Sequence, residues 1–366
     1  MEFNNFDNIS IICKLVEGKI DKNHKKSYII MGLIKYLLYK IYFSLSVSIF
    51  RIRNNVIAPG LRVKFHLFRK VQFVGNNRIG DNCKIIAPNK SKLIQFYLGQ
   101  NSWIRDRVEI NTPSNSIVRI KSNVSVQDNC KLLGDITIGA NSILAPDIFI
   151  SSGTHSPFHR PYLTIREQDG IVSNENGFIS KPITIEEDCW IGKSVFIEPG
   201  TNIGKGCVIG SNARIKGFIP PYSVVIKNNI IIKNRVEFNP PSILQVKEEH
   251  IPYFYRGFNT SLHAIEKGAF NLLENEGIVI LKKKNDLKEI IINGINTSNK
   301  KIKFTVETKD SQSFEVEKGS FKITVSTAII NIDKEKKIIP NILNHSEIRL
   351  ISNEYNHLSI KSISTK

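Results

Sequence analysis

Cysteine is scarce in this chain, and its few cysteines are not arranged for disulfides or for metal binding. There are five cysteines in 366 residues. None has the paired spacing of a zinc site, and no even-numbered framework of close cysteines is visible. The sequence therefore predicts neither a disulfide scaffold nor a metal centre, and it suits a reducing compartment.

Acidic side chains are also in short supply. The chain has 33 aspartates and glutamates against 51 lysines and arginines, which gives a net charge of +18. This balance predicts an anionic partner, such as a nucleotide phosphate, an acidic glycan or a lipid surface. The alternative is that the charge only reflects a composition rich in lysine. Because the basic residues are spread along the chain and no nucleic-acid motif occurs, we expect no nucleic-acid partner.

The N-terminal sequence lacks the pattern of a secretion signal. Residues 1–10 contain no basic region that leads into an apolar run, so we expect a cytoplasmic protein. Residues 26–53 are predicted to form a helix, and Lys35 and Lys40 within it argue against a membrane span. Two interpretations remain open, a helix packed on the rest of the protein or an amphipathic helix on the inner face of the cell membrane.

A six-residue repeat dominates the middle of the chain. In each hexad a large aliphatic residue comes first, glycine or a polar residue second, and a small or β-branched residue fifth. A period of this length predicts a parallel β-helix, in which three hexads make one coil and the first residues stack in the core. The fold class is therefore mainly β. The most regular hexads begin at Ile185, Ile191, Ile197, Ile203 and Ile209.

Less regular hexads precede these, and cysteine often takes the small fifth position. We expect Cys83, Cys130, Cys189 and Cys207 to fill the core. The early hexads begin at Ile79, Leu98, Ile104, Ile120, Val126 and Ile138, with coils starting at Ile79, Leu98, Ile120 and Ile138.

Breaks in the repeat define the expected domains. Residues 151–182 fit no hexad, and a long excursion from a regular solenoid is usually functional. The last 108 residues alternate in hydrophobicity and predict an antiparallel β-sandwich, with a turn at Asn293-Gly294. The expected layout is an N-terminal segment and helix at 1–60, the β-helix at 61–239, a connection at 240–258 and an accessory β-sandwich at 259–366.

Several motifs of the repeat resemble a known family. They are Cys189-Trp-Ile-Gly192, Glu198-Pro-Gly200, Ile203-Gly204 and Ile219-Pro-Pro-Tyr-Ser-Val-Val225. The chain is similar to the left-handed β-helix, hexapeptide-repeat acyltransferases, and resembles those that O-acetylate polysaccharides and sialic acids. The resemblance implies a left-handed coil, acetyl-CoA as acyl donor, no metal and a homotrimer.

The resemblance also implies the site. His155, near the start of the excursion, matches the catalytic histidine of related glycan acetyltransferases, and a neutral imidazole suits removal of a hydroxyl proton. Trp190 matches an aromatic residue that lines the acceptor and thioester tunnel. His159 is expected to contact the acceptor, rather than to join His155 on a metal.

Further contacts to the acyl donor and to the acceptor are implied by the positions of residues that match the family. The cofactor residues are expected to be Gly192 and Ser211 along the pantetheine arm, and Arg214 and Lys216 at the CoA phosphates. The chain has Gly217 where the family usually has lysine, and Lys227-Asn-Asn-Ile-Ile replaces the family's closing motif. Gln127, Asp128 and Asp147 are candidates to orient His155, as is a backbone carbonyl, and Gln127 and Asp128 are also candidate acceptor contacts.

These features together predict an O-acetyltransferase that uses acetyl-CoA on a bacterial surface polysaccharide, capsule or lipopolysaccharide, or on its precursor. The alternatives are an N-acetyltransferase acting on an amino sugar nucleotide, and a non-catalytic solenoid that serves as a scaffold or binds glycan.

Overall fold

The computed structural model of the chain describes ten stretches of residues. They are 55–58, 62–63, 71–86, 94–113, 116–176, 179–273, 275–282, 289–307, 311–326 and 345–365. The helix expected at 26–53 lies outside them. Contacts group the described chain into two units. The first holds the described residues up to Thr184, Ile191–Thr201 and Arg214–Lys216, and the second holds Ile185–Trp190, Asn202–Ala213 and the described residues from Gly217 onward.

Short strands build the repeat region. They are β1 (Val56–Ile57), β2 (Arg62–Val63), β3 (Val71–Phe73), β4 (Arg78–Ile79), β5 (Lys84–Ile86), β6 (Phe96–Leu98), β7 (Trp103–Ile104), β8 (Glu109–Asn111), β9 (Val118–Ile120), β10 (Ser125–Val126), β11 (Lys131–Leu133), β12 (Ile136–Ile138), β13 (Ile143–Leu144), β14 (Phe149–Ser151), β15 (Ile183–Ile185), β16 (Trp190–Ile191), β17 (Phe196–Ile197), β18 (Asn202–Ile203), β19 (Val208–Ile209), β20 (Arg214–Ile215), β21 (Phe218–Ile219), β22 (Ser223–Ile226) and β23 (Ile230–Asn234).

Three parallel sheets run through the first unit. One has the order β1-β4-β7-β10-β13, the second β2-β5-β8-β11-β14-β17-β20, and the third β3-β6-β9-β12. Successive strands of one sheet are one coil apart in sequence, which is the topology of a parallel β-helix. The mainly β, β-helical fold class is confirmed.

The first residue of each hexad stacks in the core, as the repeat predicts. In the second sheet the aligned residues pair strand by strand and expose 2% or less of their surface. Burial of one such side chain contributes roughly 1.5–3 kcal/mol, so stacking of equivalent residues stabilises the coil. The stack consists of Ile85, Ile110, Leu132, Ile150, Ile197 and Ile215.

The predicted coil register was wrong at its first member. Ile79 pairs with Ile104 in the first sheet, whereas Leu98 pairs with Ile120 in the third sheet. Ile79 and Leu98 therefore occupy different sides of the coil. The unequal corner insertions hide this difference, because they make spacing along the chain a poor guide to the side of the coil.

The cysteines fill the fifth position of their hexads, as predicted. Cys83, Cys130, Cys189 and Cys207 each expose 2% or less of their surface. Their thiols donate to backbone carbonyls, for example Cys83 Sγ to the Arg105 oxygen at 2.9 Å and Cys207 Sγ to the Pro220 oxygen at 3.0 Å. The thiols are therefore packing groups that also satisfy carbonyls at the corners.

Asparagine shapes the corners of the coil. The fourth residue of many hexads adopts a positive φ, a conformation in which asparagine is the best tolerated residue after glycine. This accounts for the recurring Asn before the fifth position. Examples are Asn82 (55°), Asn101 (57°), Asn123 (59°), Asn129 (61°), Asn141 (62°) and Asn212 (60°).

A helix occupies the excursion between β14 and β15. Helix α1 spans Ile165–Asn176 and lies within residues 151–182, which fit no hexad. A second short helix, α2, spans Leu262–Glu266, and 3-10 turns cover Glu248–Tyr253 and Tyr355–His357. Among the described residues no helix has the length and apolar character needed to cross a membrane.

The second unit contains the end of the repeat and a β-sandwich. Strand β22 pairs in parallel with β19, and β23 returns antiparallel to β22, so Lys227-Asn-Asn229 forms the turn of a hairpin. The remaining strands are β24 (Ile243–Gln245), β25 (Phe270–Asn271), β26 (Glu276–Lys282), β27 (Glu289–Asn296), β28 (Ile302–Glu307), β29 (Ser311–Val316), β30 (Gly319–Ser326), β31 (His345–Ser352) and β32 (Leu358–Thr365).

Two antiparallel sheets, β24-β32-β27-β30 and β26-β31-β28-β29, share one apolar core and confirm the predicted sandwich. The turn expected at Asn293-Gly294 was wrong, because both residues lie inside β27. Residues 240–258, interpreted from the sequence as a connection, supply β24 and place Leu244 and Phe254 in the sandwich core.

A buried polar cluster links the segment before the sandwich to hexad residues of the same unit. Glu186, whose side chain is 5% exposed, accepts hydrogen bonds from the Tyr255 hydroxyl at 2.5 Å and from Arg256. The Lys205 ammonium donates to the Phe254 carbonyl at 3.0 Å, and burial lowers the pKa of Lys205. Because Glu186 binds both Tyr255 and Arg256 while Lys205 binds the Phe254 carbonyl, this cluster fixes where residues 254–256 pack.

Candidate active site

The two ends of the excursion are hydrogen-bonded to each other. The Lys181 backbone N–H donates to the Ser152 carbonyl at 2.8 Å, and the Ser152 and Ser180 hydroxyls lie 2.7 Å apart. Gly153 and Ser180 also form an antiparallel bridge. His155 therefore lies only two residues beyond a point that is anchored to the coil.

Helix α1 is held at its N-terminus by a capping box. The Glu167 carboxylate accepts from the Thr164 hydroxyl at 2.7 Å and from the Thr164 backbone N–H at 3.0 Å, while the Glu167 N–H donates back to the Thr164 hydroxyl at 3.3 Å. These bonds from Thr164, first of all from its hydroxyl, lower the pKa of Glu167. The reciprocal pairs satisfy amides that would otherwise lack partners in the first turn.

Gln168 ties the turn before the helix to the helix itself. Its side chain is buried, accepts from the Arg160 N–H at 2.9 Å and donates to the Leu163 carbonyl at 2.9 Å. The path of the chain between His155 and the helix is thus fixed by side-chain bonds from the helix.

The candidate base, His155, pairs with a carboxylate on helix α1. Its Nδ1 lies 2.5 Å from Asp169 Oδ2, and Asp169 Oδ1 accepts from the Ser156 N–H at 2.8 Å. The Ser156 N–H and, after it, the His155 ring lower the pKa of Asp169. The His155 side chain is 81% exposed, so the far side of the ring is open to solvent.

Asp169 was not among the predicted orienting groups, and those groups have other partners. Gln127 donates to the Ser125 hydroxyl at 2.9 Å, and Asp128 accepts from the Asp106 N–H at 3.1 Å. Asp147 accepts from Asn129 at 3.0 Å.

A second histidine of the excursion also faces helix α1. His159 Nε2 lies 3.5 Å from Glu175 Oε2, and both side chains are partly exposed. The helix thus presents one carboxylate to each histidine of the excursion. Among the described residues no group of three or more histidine, cysteine, aspartate or glutamate side chains is placed to hold a metal ion.

The expected donor-binding residues are divided between the two units. In the first unit, Gly192 is buried, and Arg214 and Lys216 both approach Glu198, the lysine at 4.0 Å. The Arg214 guanidinium also lies over the Phe196 ring, 5.2 Å from its centroid. In the second unit, Ser211 is exposed and the Trp190 indole is 55% exposed.

Known proteins share the repeat. The family described as bacterial transferase hexapeptide (six repeats) matches residues 182–217. The protein named "Putative colanic acid biosynthesis acetyltransferase WcaF" of Escherichia coli K12 is 31% identical over 148 residues, which are 40% of this chain and 73% of that protein.

The chain belongs to the hexapeptide-repeat transferase family.

Other relatives of this hexapeptide-repeat transferase carry similar names. Galactoside O-acetyltransferase of Escherichia coli K12 is 32% identical over 34% of this chain and 56% of its own length. The solved structure of the polysialic acid O-acetyltransferase OatWY overlaps 51% of this chain and 88% of its own, with 20% identity and a TM-score of 0.28, a likeness too loose to bear on function. Because the sequence relatives are acetyltransferases, this hexapeptide-repeat transferase is an acyltransferase.

Proposed function

We propose that the protein transfers an acetyl group from acetyl-CoA to a hydroxyl of a bacterial surface polysaccharide, in capsule or lipopolysaccharide, or of its precursor. The observation that supports this most is the exposed imidazole of His155, held by Asp169 at the edge of the repeat. The relative named for colanic acid biosynthesis favours a polysaccharide acceptor.

In the proposed reaction, His155 Nε2 removes the proton of the acceptor hydroxyl as its oxygen attacks the thioester carbonyl. The tetrahedral intermediate then collapses, the carbon–sulfur bond breaks, and the imidazolium returns the proton to the CoA thiolate. General-base catalysis of this kind contributes about 10²- to 10⁴-fold. Backbone N–H groups of the coil are suited to stabilise the oxyanion.

For the acyl donor, we propose the contacts that the sequence predicts. We assign Gly192 and Ser211 to the pantetheine arm, and Arg214 and Lys216 to the CoA phosphates. Because both cations already face Glu198, a phosphate must share or displace that carboxylate. The exposed Trp190 suits one wall of the tunnel, and His159, Gln127 and Asp128 suit the acceptor side.

The remaining features of the proposal concern the whole chain. We propose a cytoplasmic homotrimer with the acyltransferase domain at 61–239, an accessory domain at 259–366, and peripheral contact of residues 26–53 with the inner face of the cell membrane. The accessory domain either holds an anionic polymer through its lysines or caps the trimer.

The test is transfer of radiolabelled acetyl from acetyl-CoA to purified capsular polysaccharide and lipopolysaccharide of the source organism. The proposal predicts label in the polymer that mild alkali releases, because an acetyl ester is labile. Alkali-stable label on an amino sugar nucleotide would replace the proposal with N-acetylation. A protein that binds no acetyl-CoA would support a scaffold instead.

A further inference from the structure

We propose that Asp169 is the positioning residue of the transfer reaction, because it holds His155 in the tautomer that leaves Nε2 free to accept the acceptor proton. This inference rests on the proposed function, in which His155 is the base. It adds a residue from helix α1, which lies outside the hexad repeat.

The geometry sets the direction of both hydrogen bonds. An ionised carboxylate only accepts hydrogen bonds, so each donor facing Asp169 must bring its own proton. The backbone N–H of Ser156 supplies one proton to Oδ1 at 2.8 Å, and the ring Nδ1 must supply the other to Oδ2 at 2.5 Å. The neutral ring therefore carries its hydrogen on Nδ1, and Nε2 keeps the electron pair that a general base needs.

The charge state of Asp169 supports this assignment. The Ser156 N–H is the largest cause of its lowered pKa, and the His155 ring is the second. The carboxylate is therefore ionised at neutral pH. When His155 takes up the acceptor proton, the resulting cation lies directly against this negative charge.

The contacts around Asp169 distinguish its pairing with His155 from a chance ion pair on the surface. Asp169 lies two residues after the capping-box Glu167 and next to the buried Gln168. The Gln168 amide bonds to Arg160 and Leu163 of the turn before the helix. Because Asp169 also binds Ser156, the residue after His155, one carboxylate fixes both the ring and its backbone. A freely rotating surface ion pair would have only the first of these contacts.

The substitution Asp169→Asn tests the tautomer directly. An amide has one accepting oxygen and a donating NH2 group, whereas two donors face this side chain. The Ser156 N–H cannot change its role, so the oxygen stays with Ser156 and the NH2 group turns to Nδ1. Nδ1 must then accept, which moves the ring hydrogen to Nε2 and blocks the base.

Glu167→Gln is the matched control. It removes one negative charge from the same helix two residues away, and glutamine can still serve in the capping box. Full-length protein labelled with ¹⁵N-histidine is measured by solid-state NMR at about pH 8.5, where a free imidazole is neutral. The His155 signals are assigned by their loss in His155→Gln.

We expect an Nδ1–H ring in the wild type and in Glu167→Gln, and an Nε2–H ring in Asp169→Asn. With the acceptor that takes label in the assay above, Asp169→Asn should lower kcat by about 10²- to 10⁴-fold, because a ring that carries its hydrogen on Nε2 cannot act as the base, and should leave the KM for acetyl-CoA unchanged. Glu167→Gln should stay within about twofold of the wild type.

Two results would overturn the proposal, an Nε2–H ring in the wild type or wild-type kcat in Asp169→Asn. These are distinguishable from failure of the proposed function. If His155→Gln keeps wild-type transfer, His155 is not the base, whatever tautomer the NMR shows. If His155→Gln is inactive while Asp169→Asn is fully active, only the role of Asp169 is wrong.

Discussion

At the scale of single residues, burial lowers the reactivity of the core cysteines. Burial is the main cause that raises the pKa of Cys83 and Cys130 to about 11 and that of Cys207 to about 12. A raised thiol pKa means that the reactive thiolate is absent until the pH approaches that value. At about pH 8 these thiols should therefore be inert in the native protein.

Iodoacetamide labelling followed by peptide mass spectrometry checks this expectation. Peptides containing Cys83, Cys130, Cys189 and Cys207 should stay unmodified in the native protein and become fully modified in guanidinium. Rapid modification of Cys207 in the native state would show that its hexad opens, and would contradict a tightly packed fifth position.

The corner asparagines give a second prediction at the residue scale. Asn212 is exposed and has a φ of 60°, a conformation that costs most residues about 1–2 kcal/mol. Asn212→Ala should therefore lower the denaturation midpoint, whereas Asn212→Gly should leave it nearly unchanged. Equal midpoints for the two variants would mean that the corner relaxes to a negative φ.

Asp169 shows what the sequence could not reveal at this scale. The hexad period places Cys83 or Asn212 because each repeat predicts the next. The excursion has no such period. Asp169 follows His155 by 14 residues in the sequence, and the two side chains are in contact only because helix α1 folds back toward His155. The candidate base could be predicted from a motif, but its partner depends on tertiary contacts.

At the scale of elements, the capping box should govern the order of helix α1. Thr164→Ala removes the hydroxyl that pairs with Glu167, a loss worth about 1 kcal/mol at a helix N-terminus. Hydrogen exchange of amides in 165–176 should speed up, while exchange in the strands of the second sheet stays the same. Unchanged exchange in the helix would show that Gln168 alone holds it.

Among the helices and strands, one local sequence signal was reliable and another was misleading. Thr164-Ile-Arg-Glu167 is a capping-box signature, so helix α1 could have been predicted from it. Asn293-Gly294 resembles a turn signal, yet a Cβ on Gly294 would lie 2.4 Å from both the Phe321 ring and the Ser359 carbonyl oxygen. The glycine serves close packing inside a paired strand, which only the neighbouring strands reveal.

At the scale of the whole molecule, exposed apolar side chains are consistent with the proposed homotrimer. Four large apolar residues of the first unit are exposed, from 41% at Trp103 to complete exposure at Tyr162; the other two are Ile143 and Phe158. Apolar surface of this kind is commonly covered by a neighbouring subunit in symmetric oligomers. Light scattering on a sizing column should give three times the chain mass of 41.5 kDa. A single-chain mass at micromolar concentration would contradict the trimer.

The central claim is that the imidazole of His155 removes the acceptor proton during acetyl transfer, and His155→Ala tests it most directly. Acetyl transfer is measured at saturating acetyl-CoA, with the Kd for acetyl-CoA measured by calorimetry on the same preparation. His263→Ala is the control, since His263 is also exposed and lies 3.4 Å from a carboxylate, that of Glu266. The account predicts that His155→Ala loses about 10²- to 10⁴-fold in turnover with an unchanged Kd, while His263→Ala keeps full activity. Turnover above about a tenth of the wild type in His155→Ala would contradict it.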